Sequence, residues 1–299
     1  MDIPEPPAHS ANCPPPLEHP STPSVHLPPH ATDSHCHVFG PHARFPYAEE
    51  RTFTPVDVPR ERLRVLHDHL GFERALIVQS ACHGEDHSAL LGALATSGGR
   101  YRGVALVRPA TDPAQIAAWA DAGICGARLN FLPHLGGVPP RETVFAVVSL
   151  IEPHSWHLSV HVAHTGITDH FDLVQALARR LPVVIDHMAR VDLAQGLDGP
   201  DVHSLLRLLD SGRVWVKLSG ADRLSGGPVP ASAAVALARR LAVHAPERVV
   251  WGTDFPHPNL AGDPPDDGVL VDTLAEVAAG PRLRQQLLVD NPAQLFGWT

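Results

Sequence analysis

Five side chains suited to acid–base or metal chemistry stand at the ends of short apolar runs: His35, His37, His161, His187 and Asp254. A run of Val, Ile or Leu that ends in His or Asp is costly to bury unless the polar group has a partner. The pattern recurs at the first, fifth, sixth and eighth of eight such runs. Because the parallel strands of a closed βα barrel direct their carboxyl ends to one mouth, we expect these side chains to share one pocket.

The residue types in this pattern point to hydrolysis. Imidazole and carboxylate groups suit Zn²⁺, and a catalytic ion keeps one position open for water. Such an ion lowers the pKa of its bound water toward about 7, and Asp254 is placed to take the proton of the attacking water. We therefore expect a divalent metal, zinc by ligand type, bound by these five residues. Catalysis by the same groups without an ion is the alternative.

Histidine is abundant, at 21 of 299 residues, so a His-x-His motif alone is a weak signal. A second copy occurs at His67 and His69. Positions i and i+2 face the same way on a strand, so His35 and His37 can converge on one point; on a helix they point about 200° apart. We interpret His67 and His69 as a surface pair on a helix that chelates no ion.

Short β-rich runs alternate with segments of helical periodicity along the chain. The runs occupy residues 32–39, 75–80, 101–109, 124–131, 157–163, 182–188, 214–220 and 248–254. Residues 59–71, 112–123 and 201–212 have helical spacing, and Asp112 followed by Pro113 is typical of a helix start. Alternating units of this kind predict an α/β fold, a (β/α)8 TIM-type barrel. A doubly wound open sheet is the rival, but no glycine-rich nucleotide turn follows the first run.

The composition excludes several classes of protein. A net charge of −9 argues against a general affinity for nucleic acid. No stretch approaches the roughly 20 apolar residues that span a bilayer, so we expect no membrane partner. The beginning of the chain lacks a basic segment followed by an apolar one, which argues against a signal peptide. The four cysteines form no CxxC pair and no dense framework, which suits a reducing compartment, and we expect a cytoplasmic enzyme.

The first thirty residues differ from the rest in composition. They are rich in proline and have almost no periodic apolar pattern. Because proline removes backbone donors and favours extended chain, we predict a disordered or loosely docked arm at residues 1–30 and a barrel domain at residues 31–299. The histidines of this arm are interpreted as solvated side chains.

Five ordered motifs of the barrel resemble the amidohydrolase superfamily, closest to its 2-pyrone-4,6-dicarboxylate lactonase group. They are HCHVFGP (35–41), VQSACHG (78–84), GARLNF (126–131), VIDHM (184–188) and WGTDFPHPN (251–259). The resemblance extends from Asp33 to Trp298. It implies a barrel in which a strand-8 aspartate activates water for attack on a lactone carbonyl, and the matching catalytic positions are Asp254, His187, His35 and His37.

The resemblance also implies anion-binding groups. Arg128 closes the fourth run and Arg223 follows the seventh, and both match arginines that hold a carboxylate or the developing oxyanion. Arg128 could instead pair with a carboxylate of the barrel, and Arg223 could be an exposed, solvated residue of a loop. The pyrone enzyme has a further arginine where this chain has Pro133-His134, and a tyrosine where His161 stands. We therefore expect a lactone different from the pyrone dicarboxylate and still anionic.

Three further residues are candidates with two interpretations each. Ser80 could donate to substrate or cap a turn, and Tyr47 could cover the pocket or simply pack beside it. Lys217 lies inside the seventh run and points either into the barrel or into the helix layer.

We conclude that the sequence predicts a lactonase. The alternatives are a metal-dependent decarboxylase of an aromatic or muconic-type acid, a lactone isomerase, and a barrel that binds a small acid without turnover. The chain could be a monomer or a homodimer.

Overall fold

The computed structural model describes residues 13–163, 166–225, 230–260 and 262–298. Eight parallel strands form one sheet, in which each strand pairs with the next along the chain. A doubly wound sheet reverses its strand order part of the way across, so this sequential order excludes it and confirms the predicted (β/α)8 barrel. The strands are β1 Thr32–Cys36, β2 Arg74–Val78, β3 Tyr101–Ala105, β4 Ile124–Asn130, β5 His157–His161, β6 Val183–Ile185, β7 Val214–Lys217 and β8 Val249–Val250.

Helices pack around the barrel and connect its strands. They are α1 Arg60–Leu70, α2 Ser88–Ala95, α3 Pro113–Asp121, α4 Arg141–Ile151, α5 Gly166–Asp169, α6 Phe171–Ala178, α7 Pro200–Leu209, α8 Ala221–Ser225, α9 Ser232–His244, α10 Asp267–Asp272, α11 Leu274–Val277, α12 Pro281–Gln285 and α13 Asn291–Phe296. The predicted start of α3 is confirmed, since the Asp112 carboxylate accepts a hydrogen bond from the Ala114 N–H. Within the described ranges, no helix has the length and apolar character needed to cross a bilayer.

The strands are shorter at their carboxyl ends than the apolar runs suggest. His187 lies two residues beyond β6, and Asp254 lies four residues beyond β8. Both residues have positive φ, 52° at His187 and 67° at Asp254, a conformation that extended strands do not allow. The chain therefore turns away from the sheet at the two positions where these polar side chains must face inward.

The barrel closes where β1 meets the chain that follows β8. The Ser34 N–H donates to the Trp251 carbonyl at 2.9 Å, and the Asp254 N–H donates to the His35 carbonyl at 2.8 Å. These backbone hydrogen bonds place the histidines of β1 directly beside Asp254.

Asp33 holds the two sides of this closure together. One carboxylate oxygen accepts from the backbone N–H of Thr253 at 3.0 Å, and the other accepts from the Thr253 hydroxyl at 2.6 Å. The second oxygen also faces His67 Nε2 at 3.2 Å. The interpretation of His67 as a surface residue was therefore wrong: its ring is fully buried, whereas His69 is exposed. An apolar face of α1 turns His67 inward, where Asp33 supplies the partner that a buried imidazole needs.

Residues 13–30 of the predicted N-terminal arm lie against the barrel, and residues 1–12 lie outside the described residues. The Ser24 backbone N–H and hydroxyl both donate to the Asp272 carboxylate, at 2.7 and 2.9 Å. We call residues 13–30 the docked arm. The domain boundary after residue 30 stays a prediction.

A buried ion pair fastens the loop that follows β8. His257 and Asp267 are both about 1% exposed, and His257 Nε2 lies 3.1 Å from Asp267 Oδ1. Burial alone would lower the pKa of His257, but Asp267 raises it above the ordinary histidine value. A histidine with a raised pKa in the folded state binds its proton more tightly there than in the unfolded chain.

We therefore expect His257 to stabilise the fold below its unfolded pKa of about 6.5 and to lose that contribution as the pH rises through its raised folded pKa. In the His257→Gln variant, the free energy of unfolding should fall less than in the wild type between neutral and mildly alkaline pH. Urea unfolding at a series of pH values measures this, with the exposed His203→Gln as a control. Parallel pH dependences of His257→Gln and the wild type would contradict it.

Candidate active site

Four of the five predicted side chains meet at the carboxyl end of the barrel, around one oxygen. Asp254 Oδ1 lies 3.3 Å from His37 Nε2, 3.6 Å from His35 Nε2 and 4.0 Å from His187 Nε2. The fifth side chain, His161, stacks edge-on against His187 with 5.2 Å between ring centroids. The predicted convergence is thus present in the structure, while the chemical role of each residue stays a prediction.

The Val78 carbonyl fixes which ring nitrogen of His37 carries a proton. Its Nδ1 lies 2.8 Å from the Val78 carbonyl oxygen, which only accepts hydrogen bonds, so Nδ1 must carry the proton. In the neutral ring Nε2 then turns a lone pair toward Asp254 Oδ1 at 3.3 Å, whereas a second proton on Nε2 would be donated to that oxygen. Two acceptors at this distance repel each other unless a proton or a cation lies between them, and His37 therefore marks where one belongs.

His35 stands on a buried layer of charge at the bottom of the site. Its Nδ1 lies 3.1 Å from Lys217 Nζ and 3.6 Å from Asp186 Oδ1. Lys217 itself pairs with Asp186 at 3.2 Å, and both side chains are fully buried. A hydrogen bond from Lys217 leaves the His35 proton on Nε2, facing Asp254, whereas a bond to Asp186 leaves the Nε2 lone pair free.

Arg128 completes this layer on the β4 side. Its Nε lies 3.0 Å from Asp186 Oδ2, and its Nη2 donates to His161 Nδ1 at 2.8 Å. Because a guanidinium only donates, His161 Nδ1 accepts and the His161 proton resides on Nε2. This contact favours His161 as a hydrogen-bond donor toward the site over the predicted role as a metal ligand.

His187 is held by the end of β7 and by an unusual backbone. Its Nδ1 lies 2.9 Å from the Ser219 hydroxyl, which can donate or accept. A Cβ at Gly220 would approach this same Nδ1 to 3.1 Å, so position 220 has little room for a side chain. The four residues from His187 to Arg190 all have positive φ. Such backbone costs on the order of 1–3 kcal/mol per residue and collects at functional sites.

Burial and neighbouring charge set the ionisation of these groups. Burial alone would raise the pKa of Asp254, but Arg223 and the surrounding histidines hold it well below its usual value. Burial lowers the pKa of His35 to about 3, with Lys217 adding to the effect. Burial likewise lowers the pKa of His187 well below the ordinary value. At neutral pH the site therefore presents an ionised carboxylate, and His35 and His187 are neutral.

Arg223 is engaged with Asp254 rather than solvated. Located in α8, it donates from Nε to Asp254 Oδ2 at 2.5 Å and from Nη2 to the Pro258 carbonyl at 2.9 Å. The two oxygens of Asp254 thus differ: Oδ2 is bound by Arg223, and Oδ1 faces the imidazoles.

Of the remaining candidates, one reaches the site and one does not. Ser80 lines the cavity above Asp254, although its hydroxyl also accepts from the Cys82 N–H, as the turn-capping interpretation expects. Tyr47 is absent from the described cavity lining: its hydroxyl donates to Asp57 at 2.9 Å and its ring packs against His83. These contacts favour the packing interpretation of Tyr47, and a role of Tyr47 over the substrate stays a prediction.

Two adjoining cavities open at the barrel mouth. The first, over Asp254, measures about 50 Å³, and the second measures about 520 Å³. A water molecule takes up about 30 Å³ of liquid and ligand pockets about 300–1,000 Å³, so the first suits a reacting group and the second the body of a small molecule. Arg128 and Asn130 line both cavities and so stand at their junction.

Part of the site also matches the geometry of a zinc ion. The ligand atoms of His35, His37 and Asp254 lie within 4.8 Å of one another. Zinc bonds of about 2.0–2.1 Å in a tetrahedron separate neighbouring ligands by about 3.4 Å, close to the observed 3.3 and 3.6 Å from Asp254. Asp186 lies where a carboxylate would accept the Nδ1 proton of a metal-bound His35. These three residues fit a divalent metal.

Sequence reasoning missed Asp186, Ser219 and Asn130 and left Lys217 undecided. The signal for Asp186 and Lys217 was present, since each is a charged residue inside or directly after an apolar run. Burying two such charges is costly unless they pair with each other, and runs 182–188 and 214–220 belong to neighbouring strands. The contact of Ser219 with His187 and the 3.3 Å distance between Asn130 Oδ1 and His161 Nδ1 depend on the exact twist of strand ends, which periodicity does not report.

A family model described as amidohydrolase matches residues 32–298. A 2-pyrone-4,6-dicarboxylate hydrolase of Comamonas testosteroni is 40% identical over 286 residues, which cover 93% of each chain. A 4-sulfomuconolactone hydrolase of Hydrogenophaga intermedia is 37% identical over 274 residues, 91% of this chain and 90% of its own. Among solved structures, a protein of Agrobacterium tumefaciens superposes with a TM-score of 0.82 at 29% identity, over 93% of this chain and 99% of that one.

The buried charge layer gives a stability prediction. Replacing Lys217 by Met leaves Asp186 with one cation fewer in a fully buried place, and breaking such a pair typically costs about 3–5 kcal/mol. We expect Lys217→Met to lower the free energy of unfolding toward the lower end of that range, because Arg128 stays paired with Asp186. The double variant Lys217→Met/Asp186→Asn should be no more stable than the single one, because it leaves the Arg128 guanidinium buried without a carboxylate. Urea unfolding measures both. A single variant as stable as the wild type would show that Lys217 carries no charge there.

Proposed function

The chain belongs to the amidohydrolase family, and we propose that it is an enzyme that opens the ring of a small anionic lactone by hydrolysis. The observation that carries the proposal is one ionised carboxylate, Asp254, whose Oδ1 faces three imidazoles above a layer of buried charge. Two curated relatives that cover most of the chain are named as hydrolases of a pyrone dicarboxylate and of a sulfomuconolactone. Both names describe a cyclic ester that bears an acid group.

In the proposed reaction, Asp254 Oδ1 accepts a proton from water as the water oxygen attacks the ester carbonyl. The ring C–O bond then breaks, and the proton taken up by Asp254 passes to the ring oxygen, which leaves as an alcohol or enol. The carbonyl carbon becomes a carboxylic acid, which releases its remaining proton to solvent at neutral pH. Arg223 keeps Oδ2 occupied, so Oδ1 is the oxygen available to the water. The carboxylate is ionised at neutral pH because its pKa is well below the usual value.

The imidazoles supply the stabilisation of the oxyanion. When Ser219 donates to His187 Nδ1, the proton of this neutral ring is on Nε2, available to the developing negative charge. Donors already aimed at such a charge in a site shielded from water are often the largest single catalytic contribution. His161, whose proton Arg128 fixes on Nε2, is the second candidate donor.

The shape of the mouth supports a proposed position for the substrate. The small cavity holds the ester carbonyl over Asp254, and the larger one holds the rest of the molecule, since only the latter has the volume of a ligand pocket. Arg128 stands at the junction, where its positive charge favours an anionic substituent. The substrate is thus an anionic lactone with a bulk that extends toward the loops after β3 and β4.

A divalent metal, zinc by ligand type, is part of the proposal. His35, His37 and Asp254 would hold it, with His187 beside them. When bound, such an ion makes hydroxide available near neutral pH and polarises a carbonyl.

Replacing Asp254 by Asn should lower kcat by at least about 10³-fold, because the amide cannot accept the proton of the attacking water. A panel of aliphatic, aromatic-derived and sugar-acid lactones, followed by proton release at neutral pH, identifies the wild-type substrate and then quantifies the variant. The exposed helix-capping Asp112→Asn is the matched control and should keep wild-type activity. Release of carbon dioxide or formation of an isomeric lactone without net proton release would replace hydrolysis by a rival reaction.

Metal binding makes a separate prediction. Protein purified without added metal should contain about one equivalent of zinc or a similar ion by elemental analysis. His37→Asn should lose the metal. His161→Asn should keep it, because Arg128 donates to His161 Nδ1, so His161 Nε2 carries the proton and has no lone pair for the ion. Absence of metal together with activity that survives chelators would leave the metal-free form of the mechanism.

A further inference from the structure

The docked arm reaches the wall of the active site at its first described residue. Cys13 donates from its backbone N–H to the Thr54 carbonyl at 3.2 Å, and its thiol sulfur accepts from the Asn259 N–H at 3.1 Å. Phe53 and Asn259 both line the small cavity over Asp254. Cys13 therefore joins the loop after β1 to the loop after β8, directly behind the cavity wall.

The loop after β8 links Cys13 to the acid–base chemistry. Asn259 follows Pro258, whose carbonyl accepts from Arg223 Nη2 at 2.9 Å. The same guanidinium binds Asp254 Oδ2. Backbone 258–259 is thus held by Cys13 on one side and by Arg223 on the other, two contacts away from the carboxylate.

Independent contacts fasten the rest of the docked arm. Ser21 donates from its backbone N–H and its hydroxyl to Asp266 Oδ1, both at 3.0 Å, and Asp266 also caps the first turn of α10 through the Gly268 N–H. The Leu17 carbonyl accepts from Arg62 at 2.9 Å. The fit at α10 is tight, because a Cβ on Gly268 would lie 2.0 Å from the Ser21 carbonyl oxygen.

We propose that the docked arm is a positioning element of the active site, and that Cys13 is its acting residue: it fixes the loop after β8 and thereby the Arg223 guanidinium that orients Asp254. The inference rests on the proposed function for its kinetic consequence, but its structural consequence is independent of any substrate. The residues matched by the amidohydrolase model begin at 32, so the arm adds this support from outside the matched barrel.

Two kinds of substitution test the proposal. Cys13→Ala removes the acceptor for the Asn259 N–H, while Cys13→Ser keeps an acceptor. Gly268→Ala displaces the arm from α10, and a wild-type pH dependence of unfolding in this variant shows that the neighbouring Asp267 still pairs with His257. Gly280→Ala is the matched control, because a Cβ there meets nothing within 4 Å.

On the lactone that the wild type hydrolyses, we expect Cys13→Ala and Gly268→Ala to lower kcat by about tenfold, since a small misplacement of a catalytic group has effects of this order or larger. KM should change by less than about twofold, because the large cavity that holds the substrate body is untouched. Cys13→Ser should recover most of the loss, and Gly280→Ala should match the wild type. Unchanged kcat in both Cys13→Ala and Gly268→Ala would overturn the proposal.

Hydrogen exchange of the folded protein supplies the second measurement. Amides of residues 255–260 should exchange faster in Cys13→Ala and Gly268→Ala than in the wild type, with the melting temperature as the check on global stability. If the wild type hydrolyses no lactone, the proposed function fails while this measurement still decides the coupling. Unchanged exchange in residues 255–260, in spite of a released arm, would show that the arm only covers the surface.

Discussion

The junction of β1 with the chain after β8 is the constraint on which the site depends. Asp33 accepts hydrogen bonds from both sides of this junction, through Thr253 and the His35 N–H, while it is itself fully buried. Two segments more than two hundred residues apart in sequence are thereby fixed in register. His35, His37 and Asp254 all lie within four residues of these contacts, so closing the barrel and assembling the site are the same event.

A second layer of charge lies beneath the imidazoles. This layer consists of Asp186, Lys217 and Arg128. Well-packed apolar side chains in the same place would often make the fold as stable or more stable, because burying charges costs desolvation energy. What the layer supplies is orientation: Lys217 and Asp186 compete for His35 Nδ1, and Arg128 fixes the proton of His161. The balance of that competition decides whether His35 turns a proton or a lone pair toward Asp254.

The parts of the structure that repeat were predictable, and the parts that break a pattern were not. All eight apolar runs correspond to strands, and the rule that strand ends share a mouth predicts that Asp254 and three histidines meet. The prediction for His67 was wrong because a histidine on the inward face of a helix can be buried when a partner such as the Asp33 carboxylate is present there. The positive φ values at His187 and Asp254 could not be predicted from the sequence, because the apolar runs continue up to these residues without a break. The positions of Tyr47 in the first loop and of Arg223 in α8 depend on how the connections after β1 and β7 fold, which spacing along the chain does not encode.

The ionisation of Asp254 limits how the proposed hydrolysis can proceed. A carboxylate whose pKa lies well below the usual value is a weak base, and ordinary water is a very weak acid, with a pKa of about 15.7. Asp254 therefore cannot remove a proton from resting water to any useful extent. It can do so only as the water oxygen bonds to carbon and becomes acidic, or when a cation has already lowered the pKa of that water. Either way, proton removal by Asp254 depends on the groups that polarise the carbonyl and the water. This explains a site with one carboxylate oxygen and several donors around it.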